Sequence, residues 1–345
     1  MFAVFSTDCV YWLKMSILIT GGAGFIGSHT AKLFAETGLD VVVFDNLSTG
    51  RREHARWGIF VEGNLTDVAM LRQVMRERKV TAVMHLAASA HVGESMARPE
   101  LYFANNVTAS VALLDAMRAE GVARLLFASS CSVYGESASE VLREDETAIP
   151  LSAYGESKLA VERMLPWFAQ AHGLQWVALR YFNTAGAVGD LGEDITLSRR
   201  IIPRALRAAL SGAETLKVYG TEFATQDGSA VRDYVHVADV ARANLLGLRY
   251  LEAGGSGATV NIGGGSGTSV LEIIAAVERA TGKTVPYAIQ PAKPGDPGRA
   301  IADAFQAQKT LGWTAIGSDV ERIVESLVNS ACPAGQLEPQ GLFQT

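Results

Sequence analysis

Residues 16–46 read SILITGGAGFIGSHTAKLFAETGLDVVVFDN, and the fold turns on them. SILIT (16–20) is a short unbroken apolar run, the pattern of a strand covered on both faces. Gly21, Gly24 and Gly27 follow at once, opening a helical pattern expected over 26–37. Glycines at that spacing permit a tight turn and close approach of backbone to a pyrophosphate, which then sits on the helix N-terminus. VVVF (41–44) predicts the next strand, and Asp45 ends it, 18 positions after Gly27. An acid there suits ribose hydroxyls and repels a 2′-phosphate, so the pattern favours NAD over NADP. Arg51 and Arg52 follow closely and weigh against that preference.

The same rhythm continues outward. Apolar runs at 59–61, 80–86, 125–129 and 176–180 predict strands, and 107–119 and 154–171 predict helices between them. This is an α/β chain with a doubly wound parallel sheet, a Rossmann arrangement. After Arg180 the rhythm breaks. A helix is expected over 201–210, a polar loop over 220–233 and a short strand over 260–262. Ser269 and Glu272 form a capping box for a helix that Gly282 stops. Residues 286–299 carry four prolines and two glycines, expected as an ordered loop or lid. The expected organisation is an extension over 1–14, an NAD-binding domain over 15–182, and a smaller α+β substrate-binding region over 183–330. Parts of that region return to the first domain, and 331–345 forms a tail.

The chain has 345 residues, 48% apolar and 19% charged, so it buries a large core and is no disordered segment. A net charge of −6 argues against nucleic acid as a partner. Three scattered cysteines (Cys9, Cys131, Cys332) give neither a disulfide framework nor zinc spacing, and they fit a reducing cytoplasm. No apolar run reaches the roughly 18 residues of a membrane span. Residues 1–14 lack an early basic residue and are interrupted by Asp8, so they read poorly as a signal peptide.

Tyr154 and Lys158 lie four apart on one helical face, and Ser130 follows the strand expected over 125–129. Ligands of open α/β sheets bind at that carboxyl edge. A tyrosine ordinarily titrates near 10, and each unit of lowering needs about 1.4 kcal/mol of preference for the phenolate. A neighbouring ammonium and the positive end of a nicotinamide supply such a preference, making Tyr154 a base for a sugar hydroxyl. By itself a Tyr/Lys pair at this spacing is more often a stacked surface pair; the glycine turn and Ser130 tip the balance. His85 in its apolar run reads as a satisfied core histidine, and His236 with Asp239 as structural.

TGGAGFIG, Asp45, NNV (105–107), Ser130, YGESK (154–158), YFN (181–183) and RDYVHVAD (232–239) together resemble the extended short-chain dehydrogenase/reductases. HVGES (91–95), YFN and RDYVHVAD narrow the likeness to the UDP-hexose 4-epimerase branch, from about residue 15 to 328. The resemblance implies a bound NAD that takes hydride from sugar C4 and returns it to the other face of a 4-keto sugar. It implies Tyr154 as base, Lys158 at the nicotinamide ribose and Ser130 on the sugar oxygen. Cofactor contacts would come from Gly21, Gly24, Phe25, Ile26, Gly27, Asp45, Asn46, Asn64, Leu65, Leu86, Ala87, Ala88, Asn106 and Tyr181. The UDP-sugar would be held by Asn183, Arg200, Arg232, Lys293 and Asp296. The resemblance further implies a homodimer through 107–119 and 154–171.

Some positions depart from the branch. Asn64 stands for an aspartate, Ala90 for a lysine directed at the cofactor, and Lys293 for an arginine at the diphosphate. Ala300 replaces a bulky tyrosine, which leaves room for a 2-acetamido group. Asn183 has a second reading as a helix cap, and Arg232 with Asp233 as a surface ion pair. A sugar-nucleotide dehydratase would need an Asp–Glu pair where Cys131 and Ser132 stand. UDP-xylose and UDP-glucuronate remain rival substrates. A non-catalytic NAD-binding regulator would lack one of Ser130, Tyr154 or Lys158, and all three are present.

Overall fold

The computed structural model describes residues 15–137, 139–293 and 297–332. The first half alternates strand and helix: β1 (Ser16–Thr20), α1 (Phe25–Glu36), β2 (Asp40–Asp45), β3 (Ile59–Glu62), α2 (Val68–Glu77) and β4 (Val80–His85). Two short helices follow, α3 (Val92–Ala97) and α4 (Pro99–Tyr102), then a π-helical stretch (Phe103–Thr108) running into α5 (Ala109–Ala119). Next come β5 (Arg124–Ser130), α6 (Ala153–His172) and β6 (Gln175–Tyr181).

The second half holds β7 (Asn183–Ala185), α7 (Ile201–Ser211), β8 (Leu216–Tyr219), β9 (Val231–His236), α8 (Val237–Glu252) and β10 (Ala258–Ile262). It continues with β11 (Gly267–Ser269), α9 (Val270–Thr281), β12 (Tyr287–Gln290), β13 (Arg299–Ala300), α10 (Phe305–Leu311) and α11 (Val320–Ala331).

Seven strands form one parallel sheet in the order β10-β6-β5-β4-β1-β2-β3. Strand order reverses at β1, because α1 leads outward to β2 while β4 lies on the other side. A crevice opens at such a switch point, outside the carboxyl ends of the strands. Every residue of β1 is buried. Ile17 and Ile19 face a core shared with Phe34, Leu179, Val240, Leu248 and Trp313. Leu18 faces the opposite core of Leu71, Leu113, Phe127, Val161 and Leu165. This period of two, with both sides covered, explains why the strand reads as a continuous apolar run.

A separate core joins α7, α9 and α11 through Ile202, Leu206, Ile273, Val277, Ile323 and Leu327. Beside it, β9 pairs with β7, β11 and β13, while β8 pairs with β12. Ser269 and Glu272 make the expected reciprocal cap on α9, and Gly282 ends it in the left-handed region.

Four expectations need correction. The helix expected from 107 begins at Pro99, because Pro suits a first helical turn and the polar NN pair masks the periodicity. The loop expected over 220–233 gives way to a strand at Val231, whose polar Asp233 is fully buried. The stretch 286–299 contains β12. Helix α11 also continues to Ala331, where the tail was expected to start. The extension over 1–14, residues 333–345 and Asp296 lie outside the described residues.

Candidate active site

A cleft of about 920 Å³ lies at the switch point and runs from the glycine turn to the second half of the chain. At one end Gly24 precedes α1, and no side chain caps that helix. Gly24, Phe25, Ile26 and Gly27 line the cleft there, and the open first turn offers its N–H groups to an anion. The turn has no room for side chains. A Cβ on Gly27 would lie 2.1 Å from the Gly21 oxygen, and one on Gly21 2.6 Å from the Ala87 nitrogen.

Asp45 is buried at the end of β2. Its carboxylate accepts from the Ala23 N–H (3.0 Å) and the Leu47 N–H (2.8 Å), tying the glycine turn to β2. A carboxylate has about four acceptor positions, so capacity remains for two hydroxyls. Asn46, Asn64, Leu65, Leu86, Ala87 and Ala88 complete this end, with Asn46 Nδ2 donating to Asn64 Oδ1 at 2.8 Å. The two arginines nearby are engaged elsewhere: Arg51 pairs with Asp194, and Arg52 stacks on Phe60. An uncapped helix start, a turn that excludes Cβ atoms and a buried acid fit a dinucleotide with free ribose hydroxyls.

At the centre, Ser130, Tyr154 and Lys158 meet in the cleft. Ser152 caps α6 by accepting from Gly155 N–H, which sets Tyr154 in the first turn. Ser130 Oγ accepts from Ser132 N–H at 3.1 Å, so its own proton is free for another acceptor. Burial raises the Tyr154 pKa, and the Ser130 hydroxyl and the Arg200 charge oppose that rise. The expected lowering is therefore absent from the chain alone, because the phenolate would be desolvated. Lys158 Nζ donates to the Ala128 carbonyl at 2.7 Å and lies over the Phe127 ring. Burial pulls its pKa down to about 7, against the opposing charge of Glu162.

The far end is built from the second half. Tyr181 and Asn183 line it from β6 and β7, Arg200 from the start of α7, and Lys293 from beyond β12. Arg200 donates to the Thr184 carbonyl (3.1 Å), and Lys293 lies over the Tyr219 ring. Asn183 lines the cleft at the head of a strand, so the helix-cap reading falls away.

Three expected residues stand off the lining. Asn106 is buried, accepting from Ser89 N–H (2.8 Å) and donating to Ser157 Oγ (2.9 Å), and so braces the wall. Arg232 acts on the thiol of Cys131, which does line the cleft, and Ala300 packs in the cluster that includes Cys131. Asp233 makes no surface pair; its buried carboxylate accepts from Gly264, Gly265 and Ala302 N–H groups. His85 is a satisfied core histidine between Thr20 and Ser110. His236 caps α8, and Asp239 accepts from Ile316, Gly317 and Ser318.

Glu94, Glu193, Arg199 and Tyr234 also line the cleft and went unassigned in the sequence. HVGES was the available signal for Glu94, which accepts from the Tyr102 hydroxyl at 2.9 Å. Tyr102 is wholly buried and meets the Tyr154 ring edge-on.

A glycine turn on an open helix end, a ribose acid, and Ser, Tyr and Lys at the sheet edge define a nicotinamide-dinucleotide enzyme. More narrowly, the chain belongs to the NAD dependent epimerase/dehydratase family, whose model matches residues 17–263. A UDP-glucose 4-epimerase of Lacticaseibacillus casei is 42% identical over 321 residues, 91% of this chain and 96% of that one. A UDP-glucose 4-epimerase from Brucella ovis, solved in complex with NAD, superposes with a TM-score of 0.89 at 44% identity, covering 92% of this chain and 98% of that one. The Bifidobacterium longum enzyme, solved with NAD+ and UDP, gives a TM-score of 0.86 at 34% identity, with coverage of 92% and 98%.

Proposed function

We infer that the chain is an NAD-dependent 4-epimerase of a UDP-hexose, interconverting UDP-glucose and UDP-galactose. One observation carries this reading: a single cleft joins the dinucleotide end to Ser130, Tyr154 and Lys158 and then to Asn183, Arg200 and Lys293. Bound NAD supplies the reversible hydride acceptor for sugar C4. Tyr154 takes the proton of the 4-hydroxyl and later returns it, while Ser130 donates to the same oxygen. Lys158, as an ammonium, favours the phenolate and holds the nicotinamide ribose. Arg200, Lys293 and Asn183, with Arg232 and Asp296, hold the uridine diphosphate. Asn106 keeps the wall beside Ser157 in place.

Residues 15–182 are read as the cofactor domain and 183–330 as mainly the substrate region. The small Ala300 beside Cys131 supports acceptance of UDP-N-acetylhexosamines as well. A homodimer through α5 and α6 is supported by exposed Val111 and Trp167 on those helices. A cytoplasmic setting is supported by the free thiols of Cys131 and Cys332, and no described helix is long and apolar enough to cross a membrane.

The test follows the anomeric protons of UDP-galactose by NMR with purified protein and no added NAD. Appearance of UDP-glucose is expected. Silence that persists after NAD is added would overturn the reading, and UDP-N-acetylglucosamine in parallel decides the role of Ala300.

A further inference from the structure

Along α6, Tyr154, Lys158 and Glu162 recur every fourth residue, one stripe on one face. The first two line the cleft. Glu162 is buried and has no part in the chemistry derived above. Its partners are Ser129 and Arg180, which are register neighbours on β5 and β6. Arg180 Nε donates to Glu162 Oε1 at 3.0 Å and Nη2 to Oε2 at 2.7 Å, a two-pronged pair, and the Ser129 hydroxyl donates to Oε1. Arg180 stacks on Tyr134, whose hydroxyl donates to Asn261 Oδ1 at 2.6 Å.

Three consecutive residues of β5 thus meet the three stripe residues of α6. The Ala128 carbonyl receives Lys158, the Ser129 hydroxyl meets Glu162, and the Ser130 hydroxyl acts on Tyr154. A buried ion pair is poor evidence of stability, because desolvation offsets most of its attraction. A role in aligning the strand with the helix and in compensating a buried cation accounts for it better.

We propose that Glu162, clamped across Ser129 and Arg180, is a positioning residue that keeps Lys158 charged and seated against β5 beside Tyr154. Among the described residues, the titratable and charged groups around Lys158 are Glu162 and Tyr154 from its own helix, His85 from β4, and Arg180 beyond Glu162 on β6. Tyr102, from α4, meets the Tyr154 ring edge-on, and its hydroxyl donates to Glu94 on α3. His85 is held neutral by burial, so Glu162 is the negative charge that favours the ammonium. The inference rests on the reading of Tyr154 and Lys158 as the proton-transfer pair.

The experiment titrates Lys158 directly, by the pH dependence of its Cε signal in lysine-labelled full-length protein, assigned through Lys158→Arg. Glu162→Gln leaves Arg180 buried and unpaired and is at risk of unfolding. The double variant Glu162→Gln/Arg180→Met removes the pair together and keeps the test open. In folded protein the Lys158 midpoint is expected to fall by about one unit or more in Glu162→Gln, and by less in the double variant, where loss of the Arg180 charge offsets part of the fall. The alkaline limb of the pH profile of kcat should fall with it. Glu162→Asp, which keeps the charge, should stay near the parent. A midpoint unmoved in the folded double variant would overturn the proposal. Loss of epimerase activity from the unaltered chain would instead sink the functional reading, and the titration would still decide the influence of Glu162.

Discussion

Replacing Gly27 with alanine puts a methyl group where the backbone already stands. The new Cβ would lie 2.1 Å from the Gly21 oxygen and 2.7 Å from Gly22 Cα. Relief to an ordinary contact needs a shift of about 1 Å or more. Gly21 has nowhere to move. Its N–H donates to the Phe44 carbonyl at 2.9 Å, its carbonyl accepts from Gly24 N–H at 3.2 Å, and Ala87 backs it. The strain is expected to cost about 1–3 kcal/mol of stability, as overpacking does. It also turns the N–H groups of the first turn of α1 away from the pyrophosphate. Each hydrogen bond to a charged group contributes about 1.5–3 kcal/mol, so losing two weakens NAD binding by about two orders of magnitude or more. The assay is the NAD released on denaturing desalted protein, with the melting temperature measured alongside. Gly317→Ala is the control, since its Cβ would meet nothing closer than Asp239 Oδ2 at 3.9 Å. A Gly27→Ala protein that keeps its NAD and its melting temperature would refute the reasoning.

Tyr154→Phe should lower kcat by about 10²–10⁴ with unchanged melting, as loss of a general base does; steady-state kinetics at matched folded fraction check it. Burial holds His85 near pKa 3, whereas the unfolded chain takes up that proton near 6.5. Its contribution is therefore fully present above pH 6.5 and is lost as pH falls from 6.5 toward 3. His85→Gln should flatten the stability–pH slope in that window by about 1.4 kcal/mol per unit, read from urea melts; a parallel slope counts against it. Trp167→Glu, at a site 70% exposed on α6, should convert a dimer to monomer in sedimentation velocity, and a parent that already sediments as a monomer removes the dimer proposal.

Much of the sheet was readable because strands covered on both faces must be apolar throughout. SILIT and VVVF needed only their turn residues to be placed. The glycine turn was readable for a related reason, since local geometry dictates glycine there; Asp45, Tyr154 and Lys158 stood out only in combination with that turn and Ser130, and one cleft brings them together. What escaped depends on contacts distant in sequence. Asp233 looks like loop or surface chemistry until the N–H groups of Gly264, Gly265 and Ala302 converge on it. Asn106 has the residue type of a ligand contact, yet its partners Ser89 and Ser157 lie 17 and 51 positions away. The π-helical stretch before α5 has no periodicity to reveal it, and β8 is too short and mixed to stand out from its surroundings.

The position of β10 bears on how the chain is made. This strand completes the parallel sheet by pairing with β6, from Ala258↔Val177 to Ile262↔Tyr181. On a ribosome, β6 emerges some eighty residues before its outer neighbour. Until residue 262 is free of the exit tunnel, β6 presents an unpaired edge of backbone N–H and C=O groups, with Trp176, Val177, Ala178 and Leu179 along it, to every other nascent chain nearby. Translation must outrun aggregation at that edge, and a pause between residues 182 and 258 is where synthesis of this protein is most exposed to misassembly.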